Sequence, residues 1–131
     1  MKAKLSILAL ALIALIVVIA GCCYPGQREV EIRLAPIHEV RVNIAESFPE
    51  QVFVYIKGGL VDSCTTFHDL IVERVGSRIK ITLTTQRPRG VACALVYGFF
   101  EKNVALGSDF VRGRSYIVDV NGVTTTFKYP G

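Results

Sequence analysis

Apolar and polar residues alternate one by one along three stretches of this chain. Val30, Ile32 and Leu34 interleave with Glu29, Glu31 and Arg33; Val40, Val42 and Ile44 with Glu39, Arg41 and Asn43; Ile79, Ile81 and Leu83 with Lys80, Thr82 and Thr84. A period of two sends successive side chains to opposite faces, so each stretch predicts a half-buried strand. The run Gln51 to Ile56 is apolar on both faces and predicts a central strand, ended by Gly58 and Gly59. Two dipeptides predict hairpins. Gly76-Ser77 suits a type II′ turn between Val72–Val75 and Arg78–Leu83, and Asn121-Gly122 joins Ser115–Val120 to Val123–Tyr129. Cys93 to Leu106 is strand-like, with Gly98 as a bend or bulge.

Beyond the first 23 residues no stretch longer than about eight residues has helical periodicity, and Pro36, Pro49, Pro88 and Pro130 fall between the strands. The expectation is an all-β domain, an immunoglobulin-like two-sheet antiparallel sandwich of about seven to eight strands. It rests on strand count and spacing, because the chain has no Trp to supply a Cys, Trp, Cys core.

The N-terminus is different in kind. Lys2 and Lys4 precede Leu5 to Gly21, which carries no charge and only one polar side chain, Ser6. A basic start, an apolar run and small residues predict a signal helix; an uncleaved membrane anchor is the rival, since 17 uncharged residues approach bilayer length. The tetrapeptide Ile19-Ala20-Gly21-Cys22 resembles the lipobox of prokaryotic lipoproteins. That resemblance, confined to the leader, implies cleavage before Cys22 and attachment of diacylglycerol to its thiol. The expected organisation is a signal peptide over 1–21, a lipidated tether over 22–28 and a β-sandwich over 29–131, with the domain outside the cytoplasm on a membrane. Ordinary secretion would place it outside as well.

Charge and cysteines refine this. The 131 residues carry a net +4, but losing Lys2 and Lys4 from the 15 basic residues leaves 13 against 11 acidic ones. So small a surplus argues against nucleic acid, which calls for a clustered basic face. The four cysteines are Cys22, Cys23, Cys64 and Cys93. With Cys22 lipidated, Cys64 and Cys93 are the natural disulfide pair in an oxidising compartment; two buried free thiols are the alternative. Cys23 is left as a second acylation site, a free thiol or an intermolecular bridge.

Chemistry is sparse. His38 and His68 each precede a carboxylate, Glu39 and Asp69, but adjacent strand residues face opposite ways and chelate poorly. No metal and no cofactor is expected. A Cys64/His68 nucleophile would need a free thiolate, and no Gly-x-Ser-x-Gly elbow occurs, so the expectation is a protein that is not an enzyme. Function would then sit in exposed loops: 58–66, 85–92 and 107–114. Arg87 and Arg89 in one, and Asp109 and Arg112 in another, are candidate binding residues for a protein or peptide, or for acidic head groups if both loops share one end. Gly107-Ser108-Asp109-Phe110 is a weak candidate anion loop against an ordinary turn. Two rival classes remain. A small secreted protease inhibitor of immunoglobulin-like fold would match in size, but the Asn-Pro-Thr-Thr-Gly-Tyr loop of chagasin-type inhibitors is absent. A metal-binding or enzymatic lipoprotein would rest on the two histidines. Gly59-Leu60-Val61-Asp62-Ser63-Cys64 and Val120-Asn121-Gly122-Val123 are similar to segments of uncharacterised small secreted bacterial domains. The resemblance implies the Cys64–Cys93 bridge and no particular activity.

Overall fold

The strand at Arg78–Pro88 is the hub of the larger sheet, because it pairs with three other strands. The computed structural model describes Gly26 and residues 29–131; the signal peptide, Cys22, Cys23 and the rest of the tether lie outside the described residues. Eight strands follow in order: β1 Val30–Leu34, β2 Ile37–Ile44, β3 Val52–Leu60, β4 Thr66–Val75, β5 Arg78–Pro88, β6 Gly98–Gly107, β7 Ser115–Val120 and β8 Val123–Lys128. They form two sheets. In the larger, β5 pairs along one flank with β4 and along the other with β7 and then β1, while β8 closes on β7; the smaller has the order β2-β3-β6. The all-β two-sheet sandwich expected from the pattern is the observed fold.

The core follows from the alternation. Val52, Val54 and Ile56 of β3 face Ile79, Ile81 and Leu83 of β5 and Val118 and Val120 of β7, all fully or almost fully buried. β3 is indeed central in its sheet. Tyr116, Phe127 and Tyr129 add an aromatic layer, with Phe110 edge-on to Tyr116 and Phe127. The Tyr129 hydroxyl donates to the Glu50 carbonyl (2.9 Å).

Both hairpins form as expected. Asn121 and Gly122 have φ of 48° and 91°, the two positive values that a type I′ turn demands. Gly76, at φ 59°, leads the other turn.

Four expectations need correction. One pair, β5 with β7, is parallel, with Arg78 opposite Ile117 and Ile81 opposite Val120; the link through β6 crosses to the other sheet and back, which frees β7 to run alongside β5. Gly58 and Gly59 do not end β3, which continues to Leu60. Instead a Cβ on Gly58 would collide with the Phe100 ring, and one on Gly59 with Tyr97 and His38: bare backbone in a strand marks close approach by a neighbour. The stretch from Cys93 is irregular until Gly98, where β6 starts. Finally, the apolar side of β1 faces outward. Its direct partners are Pro88, Gln86 and Thr84, on the outer side of β5, and opposed residues share a face.

Candidate functional site

The two ends of the sandwich differ. β3 spans nine residues, so at roughly 3.3 Å per residue its ends stand about 26 Å apart. At the N-terminal pole the chain enters β1, and segments 61–65 and 89–97 pass between the sheets. The far pole holds 45–51, the Gly76-Ser77 turn and 108–114.

Asp62 organises the N-terminal pole. One carboxylate oxygen accepts from the Cys64 and Thr65 backbone N–H groups (3.0 and 2.9 Å) and from the Thr65 hydroxyl (2.8 Å). The other receives Arg87 Nε at 2.7 Å. The Thr65 hydroxyl, and after it the Arg87 and Cys64 bonds, hold the buried carboxyl below the usual aspartate range. Arg87 also reaches the Val91 carbonyl (3.3 Å). The Cys64–Cys93 disulfide, Cα–Cα 5.7 Å, then ties the first segment to the second. Backbone bonds add to it, Ser63 N–H donating to the Ala94 carbonyl and Ala94 N–H to Ser63 Oγ, both at 3.0 Å. Asp62 and the two sulfurs lie within 4.8 Å of one another, but bonded sulfurs are not the thiolates a metal takes.

This brace holds out an apolar loop. Val91, Leu95, Val96, Tyr97 and Phe99 are all exposed, Leu95 to 93%. Behind them Tyr97, Phe99 and His38 form a mutual edge-to-face cluster with centroids 5.3–5.6 Å apart. The Tyr97 hydroxyl is hydrogen-bonded to His38 Nε2 (2.5 Å), and the Lys57 ammonium sits 4.5 Å from the Phe99 ring centroid.

The sequence candidates distribute unevenly over this frame. The Cys64–Cys93 bridge is present. Arg87 is no free loop residue: it lies in β5, committed to Asp62. Arg89 is exposed at the same pole, its N–H donating to the Glu29 carbonyl (2.9 Å). Asp109 and Arg112 lie at the far pole, so the two basic loops do not share an end; Arg112 is engaged with Glu50 (3.2 Å). The 107–110 segment is anchored by the Phe110 ring against Tyr129, a structural turn. His38 and His68 are on different sheets, His68 bonding Thr84 Oγ1 (3.0 Å). Sequence reasoning missed the aromatic cluster and the role of Asp62; the signal for the first was the Gly58-Gly59 pair inside an apolar strand.

Two clefts are small. One of about 160 Å³ beside Asp62 is lined by charges already paired with one another, Glu31 with Arg33 (2.6 Å) and Asp62 with Arg87. The other, about 150 Å³ and apolar, opens between β4 and β6; Arg74 covers its Phe110 ring at 4.2 Å.

Fold and brace together define a small disulfide-braced β-sandwich. The chain belongs to the ORF11 beta-sandwich domain family, which it matches over residues 54–129. It is similar to three proteins of Herpetosiphon aurantiacus. One, the uncharacterized 10.2 kDa protein in the HgiCIIM 5' region, is 35% identical over 92 residues, 70% of this chain and 97% of that protein. Those in the HgiBIM and HgiEIM 5' regions are each 35% identical over 82 residues, 63% of this chain and 99% of theirs. No solved structure matches.

Proposed function

We propose that the protein is a membrane-anchored extracytoplasmic lipoprotein whose sandwich serves as a non-catalytic binding or structural module, with the braced N-terminal pole as its contact surface. The observation that carries this reading is the position of the exposed Val91–Phe99 segment at the end where the chain leads back toward Cys22. Exposed apolar clusters of this kind mark interaction surfaces. A disulfide beneath one lowers the entropy lost when it is engaged.

The absence of catalysis is part of the proposal. Cys64 is spent in the disulfide, and the two histidines sit on separate sheets bonded to hydroxyls rather than to a carboxylate or a nucleophile. Intact mass of the native protein should show residues 1–21 removed and an acyl group on Cys22, and Cys22→Ala should release the protein from membranes. A native N-terminus at Met1 would sink the lipoprotein reading. Substituting His68, which lies on the other sheet away from the Tyr97–Phe99 cluster, should leave the function intact; its loss in a folded His68 variant would favour a metal or catalytic role instead.

A further inference from the structure

We infer that the N-terminal pole docks on the lipid bilayer itself, so that the domain lies against the membrane that anchors it rather than swinging free on its tether. The inference rests on the lipoprotein reading and names the partner of the surface assigned there.

Tether geometry comes first. Six residues separate Cys22 from Glu29, and even fully extended the seven steps between them reach only about 25 Å. A domain held this closely meets the bilayer at a high effective concentration, and it meets it with the pole at which the chain enters. The far pole stands a further 26 Å or so away along the strands.

That pole has the surface chemistry of an interfacial contact. Leu95 and Val96 project from the tip of the braced loop, exposed to 93% and 64%. Tyr97 stands just behind them with Phe99 beside it, and an amphipathic tyrosine ring settles at head-group depth. Arg89 at the start of the loop and Lys57 over Phe99 place two cations within reach of head-group phosphates, with Glu29, Glu39 and Glu101 beside them, so the apolar residues rather than net charge carry the contact. No large fold change is needed, because the bridge and the Asp62 bonds already hold the loop in shape. The far pole also exposes apolar residues, Phe48, Val75 and Val111, but they stand on three separate segments with no disulfide between them.

The chain contains no Trp, so one introduced residue reports its surroundings without background. The mature lipoprotein carrying Leu95→Trp is reconstituted into vesicles of phosphatidylcholine and phosphatidylglycerol with bromine on the acyl chains, and Val75→Trp at the far pole is measured beside it. Docking predicts that the Trp at position 95 shifts its emission to the blue and is quenched severalfold, while the Trp at position 75 emits as in water. If the protein floats with the vesicles and both positions remain in water, bilayer docking is overturned, the anchor stands, and the pole is left to a protein partner. If the acylated protein fails to float with the vesicles, the anchored reading falls and this inference with it.

Discussion

β1 and β5 carry the same alternation, lie side by side, and end in opposite surroundings. The apolar residues of β5, Ile79, Ile81 and Leu83, are 1% exposed or less, whereas Ile32 and Leu34 of β1 are 50% and 62% exposed. Alternation sorts side chains into two sets; it does not say which set faces the core. The ladder decides that. β1 pairs with the last five of the eleven residues of β5, where the inward residues are Thr85 and Arg87, and these stand opposite Arg33 and Glu31. The polar set of β1 therefore turns in toward the Asp62 cleft. A slip of one residue would reverse every side chain. It is resisted at both ends, by Ala35 N–H on the Leu83 carbonyl and by Arg89 N–H on the Glu29 carbonyl, each 2.9 Å.

The sharpest way to break the comparison is to truncate both strands. Ile81→Ala empties a fully buried site in β5 and should cost about 2–5 kcal/mol, while Ile32→Ala in β1 should stay within about 0.5 kcal/mol. Chemical denaturation of the two variants measures both; equal losses would mean that β1 is buried against something.

Removing the bridge comes next. Cys64→Ser paired with Cys93→Ser should cost roughly 2–4 kcal/mol. Since β1 buries little, hydrogen exchange should show its amides losing protection before those of β5.

Acid should act on β5 from both ends. Asp119, held by Arg78 at 2.7 Å and by the Gly122 N–H, and Asp62 are both pulled below the usual carboxylate value. A depressed folded value means that the contribution is fully present above the unfolded pKa near about 3.9 and is lost as pH falls through the folded value. The melting temperature should therefore fall progressively below about pH 4. Asp62→Asn should lower the melting temperature at neutral pH and flatten the acid side of the profile. The exposed Glu31–Arg33 pair on β1 should contribute almost nothing, so Glu31→Gln is the control with the smallest expected effect.

Much of this was legible from residues alone. The β3 run and the β5 alternation mark the core because several like residues repeat in a simple period. Asn121-Gly122 marks its turn because few sequences accept two positive φ values. The Cys64–Cys93 pair was legible too, from the cysteine count once Cys22 is set aside by the lipobox resemblance. The parallel pairing of β5 with β7 was not, since it joins strands about 40 residues apart and leaves no local trace. Nor was the commitment of Arg87, which looked like a loop arginine because Pro88 and Gly90 follow it; its strand position and its partner Asp62 are set by the fold.

Sequence by itself determined the core strands and where two hairpins turn, and pointed to Cys64 and Cys93 as a pair, because these depend on neighbours along the chain or on simple chemical availability. Tertiary structure alone decided that β1 turns its apolar side outward, that Gly58 and Gly59 make room for aromatic rings, and that Leu95, Tyr97 and Phe99 gather with Arg89 at one pole while Asp109 and Arg112 go to the other. Those outcomes depend on register and on the crossing of strands between sheets. Both are fixed by contacts between residues distant in sequence, and local pattern carries no information about them.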